Sequence, residues 1–280
     1  MKKPFLTKHS LLVICTILLI NACKNNDDSN PDFVDIPDAQ FEQKLIDLGI
    51  DSDKTINKRL STNDALAVTI LDLSNNDEST AINSLSGIEG FQNLTSLKAD
   101  NNKLKSIDLS ANTELTELSL HFNELTAVNG LNATSKLKKL NLSWNYLTNI
   151  TLELPELEEL NIEENDLTVL NVSKCPTLES LLAKSNELKD FNPSQNKELS
   201  TLILSDNKLE GLDLNNNDKL ELLWISANNL QVLDVSSLPS LHNLSIINNP
   251  DLYCVTIAKD QTVATVNKSQ TQMLFEGGCW

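Results

Sequence analysis

Aromatic residues make up only 4% of this 280-residue chain, and glycine and proline number just 7 and 8. So few large rings exclude a core built from varied aromatic packing and point to one small unit used many times. There are three histidines, and no G-x-S-x-G, H-E-x-x-H or paired C-x-x-C occurs, so the common nucleophile, zinc and redox patterns are missing. Positive charge is scarce: 22 Lys and Arg face 39 Asp and Glu, for a net charge of -17. Such a surface repels nucleic acid and anionic bilayers alike. The longest apolar run, Leu11 to Ile20, is too short to span a membrane.

That run follows a basic start (Lys2, Lys3, Lys8) and precedes small residues, which is the layout of a secretory signal peptide. The junction "INAC", Ile20 to Cys23, resembles a bacterial lipobox, which implies cleavage before Cys23 and a lipid on its thiol. The alternative is an ordinary secretory cleavage site with an incidental cysteine. Residues 1–22 are then the lipoprotein signal and 23–32 a tether, because "KNNDDSNPD" has nothing to pack with. Lys24 with Asp27 and Asp28 is similar to the export signals of surface lipoproteins in some Gram-negative bacteria, which implies an outer-membrane location facing the exterior. Losing three lysines and no acid takes the charge to -17 - 3 = -20. The lipid, not the charge, would hold the protein to a membrane.

From Leu94 onward the sequence realigns on itself with starts at Leu94, Leu115, Leu137, Leu157, Leu178, Leu199, Leu220 and Leu241, after a divergent copy at Val68. With each start as position one, apolar residues recur at positions one, four, six, eleven, fourteen and sixteen. The ninth is Asn76, Asn102, Asn123, Asn145, Asn165, Asn186, Asn207, Asn228 and Asn249 without exception. An amide offers two donors and two acceptor sites, so it can serve backbone groups where a coil turns its corner. The pattern L-x-x-L-x-L-x-x-N-x-L resembles the leucine-rich repeat signature, and the short return resembles internalin-like bacterial repeats. The resemblance implies an α/β, mostly β, repeat solenoid: a right-handed superhelix of about nine coils over 67–253, with a parallel concave sheet. The return side has no room for a helix and is expected to be extended or 3₁₀.

The apolar ends of such a stack need caps. At the front, 33–66, Asp38 is a plausible N-cap, Phe41, Leu45 and Leu48 share one helical face, and Gly49 is the stop. At the back, 254–280 holds Cys254 and Cys279, the pair left once Cys15 is cleaved away, Cys23 is lipidated and Cys175 sits in the repeat core; an exported chain is free to join them. "DSDKTIN", Asp51 to Asn57, has alternating oxygen ligands but Ile56 where a calcium loop needs glycine. It reads as a solvated turn, and no metal or cofactor is expected.

Equal repeat positions become cross-strand neighbours, so Glu159 should face Lys139 and Glu163 should face Lys184. Side chains alternate along a strand, so positions four and six point inward and the fifth points out. Across coils the fifth position places Leu182, Ile203 and Trp224 in a row, with Leu222 beside them and Ile247 one coil on. An apolar patch on a polar face marks either a contact site or a surface hidden under the C-terminal cap. A second, weaker patch, Phe122, Trp144 and Tyr146, lies at the strand edge, and its alternative reading is simple ring packing between coils. His121 shares its repeat position with Asp100, which gives catalysis little foothold. The expected function is a monomeric, surface-anchored scaffold binding a protein, or a glycan through Trp144, Asn141, Asn161 and Asp100.

Overall fold

A computed structural model describes residues 32–278, so the signal, Cys23, the tether up to Pro31 and Cys279 lie outside the described residues. The described part is a stack of coils with one hydrophobic core running its whole length. Ten three-residue strands, from Ile70–Asp72 to Thr265–Asn267, form a parallel sheet in chain order. In each repeat the strand is positions three to five, and the leucine at position four is buried. Registers are strict, so equal positions pair: Leu202 lies opposite Leu181 and Leu223. Each slip by one residue would turn that leucine out to water.

The opposite face is built from short extended segments, some paired in parallel, such as Ser106–Asp108 with Ala127–Asn129 and Asn149–Thr151 with Val169–Asn171. 3₁₀ turns occur at Glu78–Thr80, Ile88–Gly90 and Leu131–Ala133. At position sixteen the backbone N–H donates to the next coil, as from Leu109 to Asn129, Leu152 to Asn171 and Val235 to Thr256. Pro193 occupies that position in its coil and has no N–H to give. No paired strand forms on this face between Val169–Asn171 and Val232–Asp234.

At eight corners the asparagine ties three strands of chain together. Asn207 Nδ2 donates to Ala183 O of the preceding coil (3.0 Å) and to Leu204 O of its own (3.1 Å), while Oδ1 accepts from Leu188 N (3.0 Å). The same set recurs from Asn102, which bonds Leu73 O, Ala99 O and Ile82 N, to Asn249, which bonds Ile225 O, Ile246 O and Leu230 N. Asn76 departs from the expectation. It is exposed, because no coil precedes it to supply the carbonyl that a ladder asparagine needs. A second column at position nineteen uses Asn112, Asn196 and Asn217, each donating to two carbonyls of the coil before. Cys175 stands in this column, buried and free, its Sγ 3.7 Å from Leu152 O. Burial holds its thiol proton on.

At the front, helix α1 (Ala39–Asp47) starts at Asp38, whose Oδ1 accepts from Gln40 N and Phe41 N. Its Oδ2 accepts from Asn83 N and Ser84 N, which fastens the helix to the first coil. Phe41 and Leu45 are fully buried, and Gly49 takes φ +71. Leu48, expected on the same face, is 46% exposed, since it lies past the last helical turn. Glu42 is buried instead, its Oε1 accepting from Asn57 N and Arg59 N. Helix α2 (Thr62–Ala67) leads into the first strand of the sheet.

At the back, the residues after Cys254 continue the stack rather than folding as a separate cap. Thr265–Asn267 adds a tenth strand beside Asn243–Ser245, and Met273–Glu276 pairs with Cys254–Ile257. Two glutamines close the two columns. Gln261 Nε2 donates to Val235 O and Leu238 O, and Gln272 Nε2 to Ile246 O and Asn249 O. One extra methylene lets each reach carbonyls that no further asparagine is there to serve. Cys254 is buried and is not among the free thiols.

Asn207→Leu strips partners from buried groups in mid-column and is expected to cost about 1–3 kcal/mol, read from denaturant unfolding. Asp51 yields a pH test. It is buried with Oδ2 unpartnered, and burial first, then the negative charges of Asp53, Glu42 and Asp64, raise its pKa above the ordinary 3.8. A raised folded-state pKa means the folded chain holds this proton more tightly, so this contribution to stability falls as pH rises from below 3.8 through the raised value. Asp51→Asn should therefore raise the melting temperature at neutral pH and lose that advantage in acid, where the native carboxyl is protonated; equal melting curves at neutral pH would refute it.

Candidate functional site

The concave row is present as a continuous strip. Leu182 lies opposite Ile203, and Ile203 opposite Trp224, on adjacent strands. Leu182, Ile203, Leu222 and Ile247 are half-buried, and Trp224 is 39% exposed. Trp224 is not free to swing, for its indole N–H donates to Asn243 Oδ1 at 3.0 Å. The C-terminal segment extends the sheet at its edge and leaves this tryptophan open to solvent. Its neighbour in the row, Ser245, is polar and bonded to Ser226 and Asn267, so the strip stops there.

The second patch is set by backbone geometry. Position eight of each coil lies in the left-handed region, at φ 51 to 59 from Asn101 and Phe122 through Ala227 and Asn248. Phe122 (φ 54) and Trp144 (φ 57) hold large rings there, at a cost of about 1 kcal/mol or more each relative to a residue suited to that region. The rings stack across coils, 6.0 Å between centroids, and remain about half exposed, as does Tyr146. Together they line one side of a groove of about 820 Å³ along the edge where the coils leave the sheet.

The end wall of that groove comes from an insertion. The first coil runs 94 - 68 = 26 residues between starts where the later ones run 20 to 22. Its excess forms the turn Asp77 to Ala81, with Asp77 capping the 3₁₀ segment Glu78–Thr80. Insertions in solenoids gather on one face, often the binding face.

The residues of the glycan reading are divided, with Asn141 opposite Asn161 on the sheet. Trp144 lines the groove, but Asn141, Asn161 and Asp100 do not. Asn141 Oδ1 already accepts from Ser143 N and Oγ, and Asp100 Oδ1 from Ser119 Oγ and His121 N. His121 Nδ1 lies 2.8 Å from Ser143 Oγ, whose own proton goes to Asn141. Asp100 touches the backbone of His121 and not its ring.

Among the described residues eight lysines pair with an acid one coil away, including Lys139 with Glu159 at 2.7 Å, Lys138 with Glu158 at 2.8 Å and Lys136 with Glu114 at 2.6 Å, while most described carboxylates have no ion pair. Exposed pairs of this kind contribute little stability. Lys184 departs from the expectation, lying 3.6 Å from Asp206 instead of bonding Glu163. Burial raises the Glu163 pKa, and the Lys184 charge offsets this in part.

No protein-family model and no curated protein matches the chain. Among solved structures it resembles an internalin C2 from Listeria monocytogenes, at 20% identity and TM-score 0.51, covering 82% of this chain and 99% of that one. A leucine-rich repeat protein of Leptospira interrogans is 28% identical with TM-score 0.50, over 64% of this chain and 55% of that one. A chain of the Drosophila Toll–Spatzle complex gives 20% identity and TM-score 0.54, over 64% of this chain and 28% of that one. The fold is that of leucine-rich repeat solenoids, the internalin type among them.

Proposed function

We propose that this protein is an exported, lipid-anchored scaffold whose concave face binds a protein partner. The observation that carries the reading is the open strip Leu182–Ile203–Trp224 on a sheet whose other outward positions are mostly polar, Ile70 on its edge strand excepted. A rigid, partly exposed aromatic beside two aliphatic side chains is the kind of group that dominates protein interfaces. The strip is also preorganised, since the sheet registers and the indole bond to Asn243 fix its side chains before any partner arrives.

The anchor reading rests on Cys23 and on the sequence before it. It places the protein at the outer membrane, facing outward, with the polar stretch 24–32 as the tether.

Trp224→Ala and Ile203→Ser, made in the chain from Pro31 onward, are expected to abolish capture of the partner that the unaltered chain retains from cell-surface extract. Stability should fall by no more than about 1 kcal/mol, whereas truncating a sealed core tryptophan costs about 3–5 kcal/mol. Undiminished capture, or a loss on the larger scale, would overturn the concave reading. For the anchor, Cys23→Ser should move the protein from the membrane fraction to the soluble one; unchanged membrane association would sink that part alone.

A further inference from the structure

The edge groove is separate from the concave strip and has its own chemistry. We propose that it is a second binding site, one that takes an extended cationic peptide segment of a protein partner, with arginine or lysine side chains laid over the rings of Phe122, Trp144 and Tyr146.

Charge decides the class of occupant. Asp77, Glu78, Glu124, Glu164 and Asp166 line the groove, against Lys103 alone, a formal lining charge of 1 - 5 = -4. Lys103 is already bonded to Glu78 at 3.0 Å. The other four carboxylates have no ion pair among the described residues. What sets the groove apart is that these carboxylates share one concavity with exposed rings and no second lysine. Exposed ring faces beside unpaired carboxylates attract guanidinium and ammonium groups by two mechanisms at once.

Shape decides the form of the occupant. The lining runs from the inserted turn at Asp77 to Ser185, one or a few residues from each of six successive coils. Five steps of about 4.8 Å make about 24 Å, the length of roughly seven residues of extended chain. Phe122 and Trp144 sit at positions where the backbone would more readily take asparagine, as it does at Asn101 and Asn248, so the turn itself does not call for a ring there.

The test is fluorescence anisotropy of a labelled peptide alternating arginine and glycine, titrated with the full-length protein in detergent at about 0.15 M salt, where diffuse surface charge is screened beyond about 8 Å. Saturable binding is expected, with a citrulline version of the peptide weaker by about tenfold or more. Trp144→Ala should weaken binding by about fivefold or more, in line with loss of a central aromatic. That variant is expected to fold, because Ala227 occupies the same repeat position at φ 51. Glu124→Gln with Glu164→Gln should weaken it about tenfold, while the equally charge-changing pair Glu210→Gln and Asp213→Asn, exposed on another coil, should change it by less than about twofold. No saturable binding, equal binding of the citrulline peptide, or equal loss from both pairs would overturn the proposal. So would displacement of the peptide by an equal concentration of spermidine, which would make the groove a polyamine site. None of these results depends on Trp224, so the groove and the concave strip fail separately.

Discussion

Every feature of this molecule depends on satisfying the backbone where each coil turns out of the sheet. There the carbonyl of position six and the N–H of position eleven are buried, and an unpaired group of either kind is costly. The asparagine side chain is short enough to stay in the corner and carries both an acceptor and two donors. Its bonds to Ala183, Leu204 and Leu188 at Asn207 show one residue serving two coils. The tight corner this enforces puts position eight at positive φ and throws its side chain outward. The buried amide therefore sets both the stacking of the core and the line of side chains that faces the groove.

The repeating part of the fold was legible in the sequence because it is governed by nearest neighbours. Leucine spacing named the inward positions, and the cross-coil register followed, so the row Leu182, Ile203, Trp224 could be drawn without coordinates. What escaped lay where the repetition ends. Asn76 carries the right letter but has no earlier coil to bond, and Leu48 has the right spacing but lies past the helix end. Gln261 and Gln272 do the work of asparagine in a stretch whose leucines have gone, so no pattern announced them. The rings of Phe122 and Trp144 were visible as a patch, yet the groove needed the wall at Asp77 to Ala81. The longer first coil was the available signal. Register pointed Lys184 at Glu163, which shares its repeat position, but a long flexible side chain reaches the offset Asp206 on the other side.

The two faces divide the labour by charge. Lysines bridge to acids on adjacent coils at several places along the stack, and the acids in excess keep the surface strongly negative. The concave strip is apolar within that surface, and the edge groove is the place where aromatic rings meet unmatched carboxylates. Two kinds of contact can thus be made from one rigid frame without either disturbing the core.

Because the ladder bonds are the same at every interior corner, a coil removed from or added to the middle of the stack would leave the donors and acceptors of its neighbours matched. Duplication of a repeat is then a step that leaves the position-nine ladder fully bonded, and the reach of the molecule changes only in whole units of about 4.8 Å. A lineage built on this frame tunes the length of what it holds by counting.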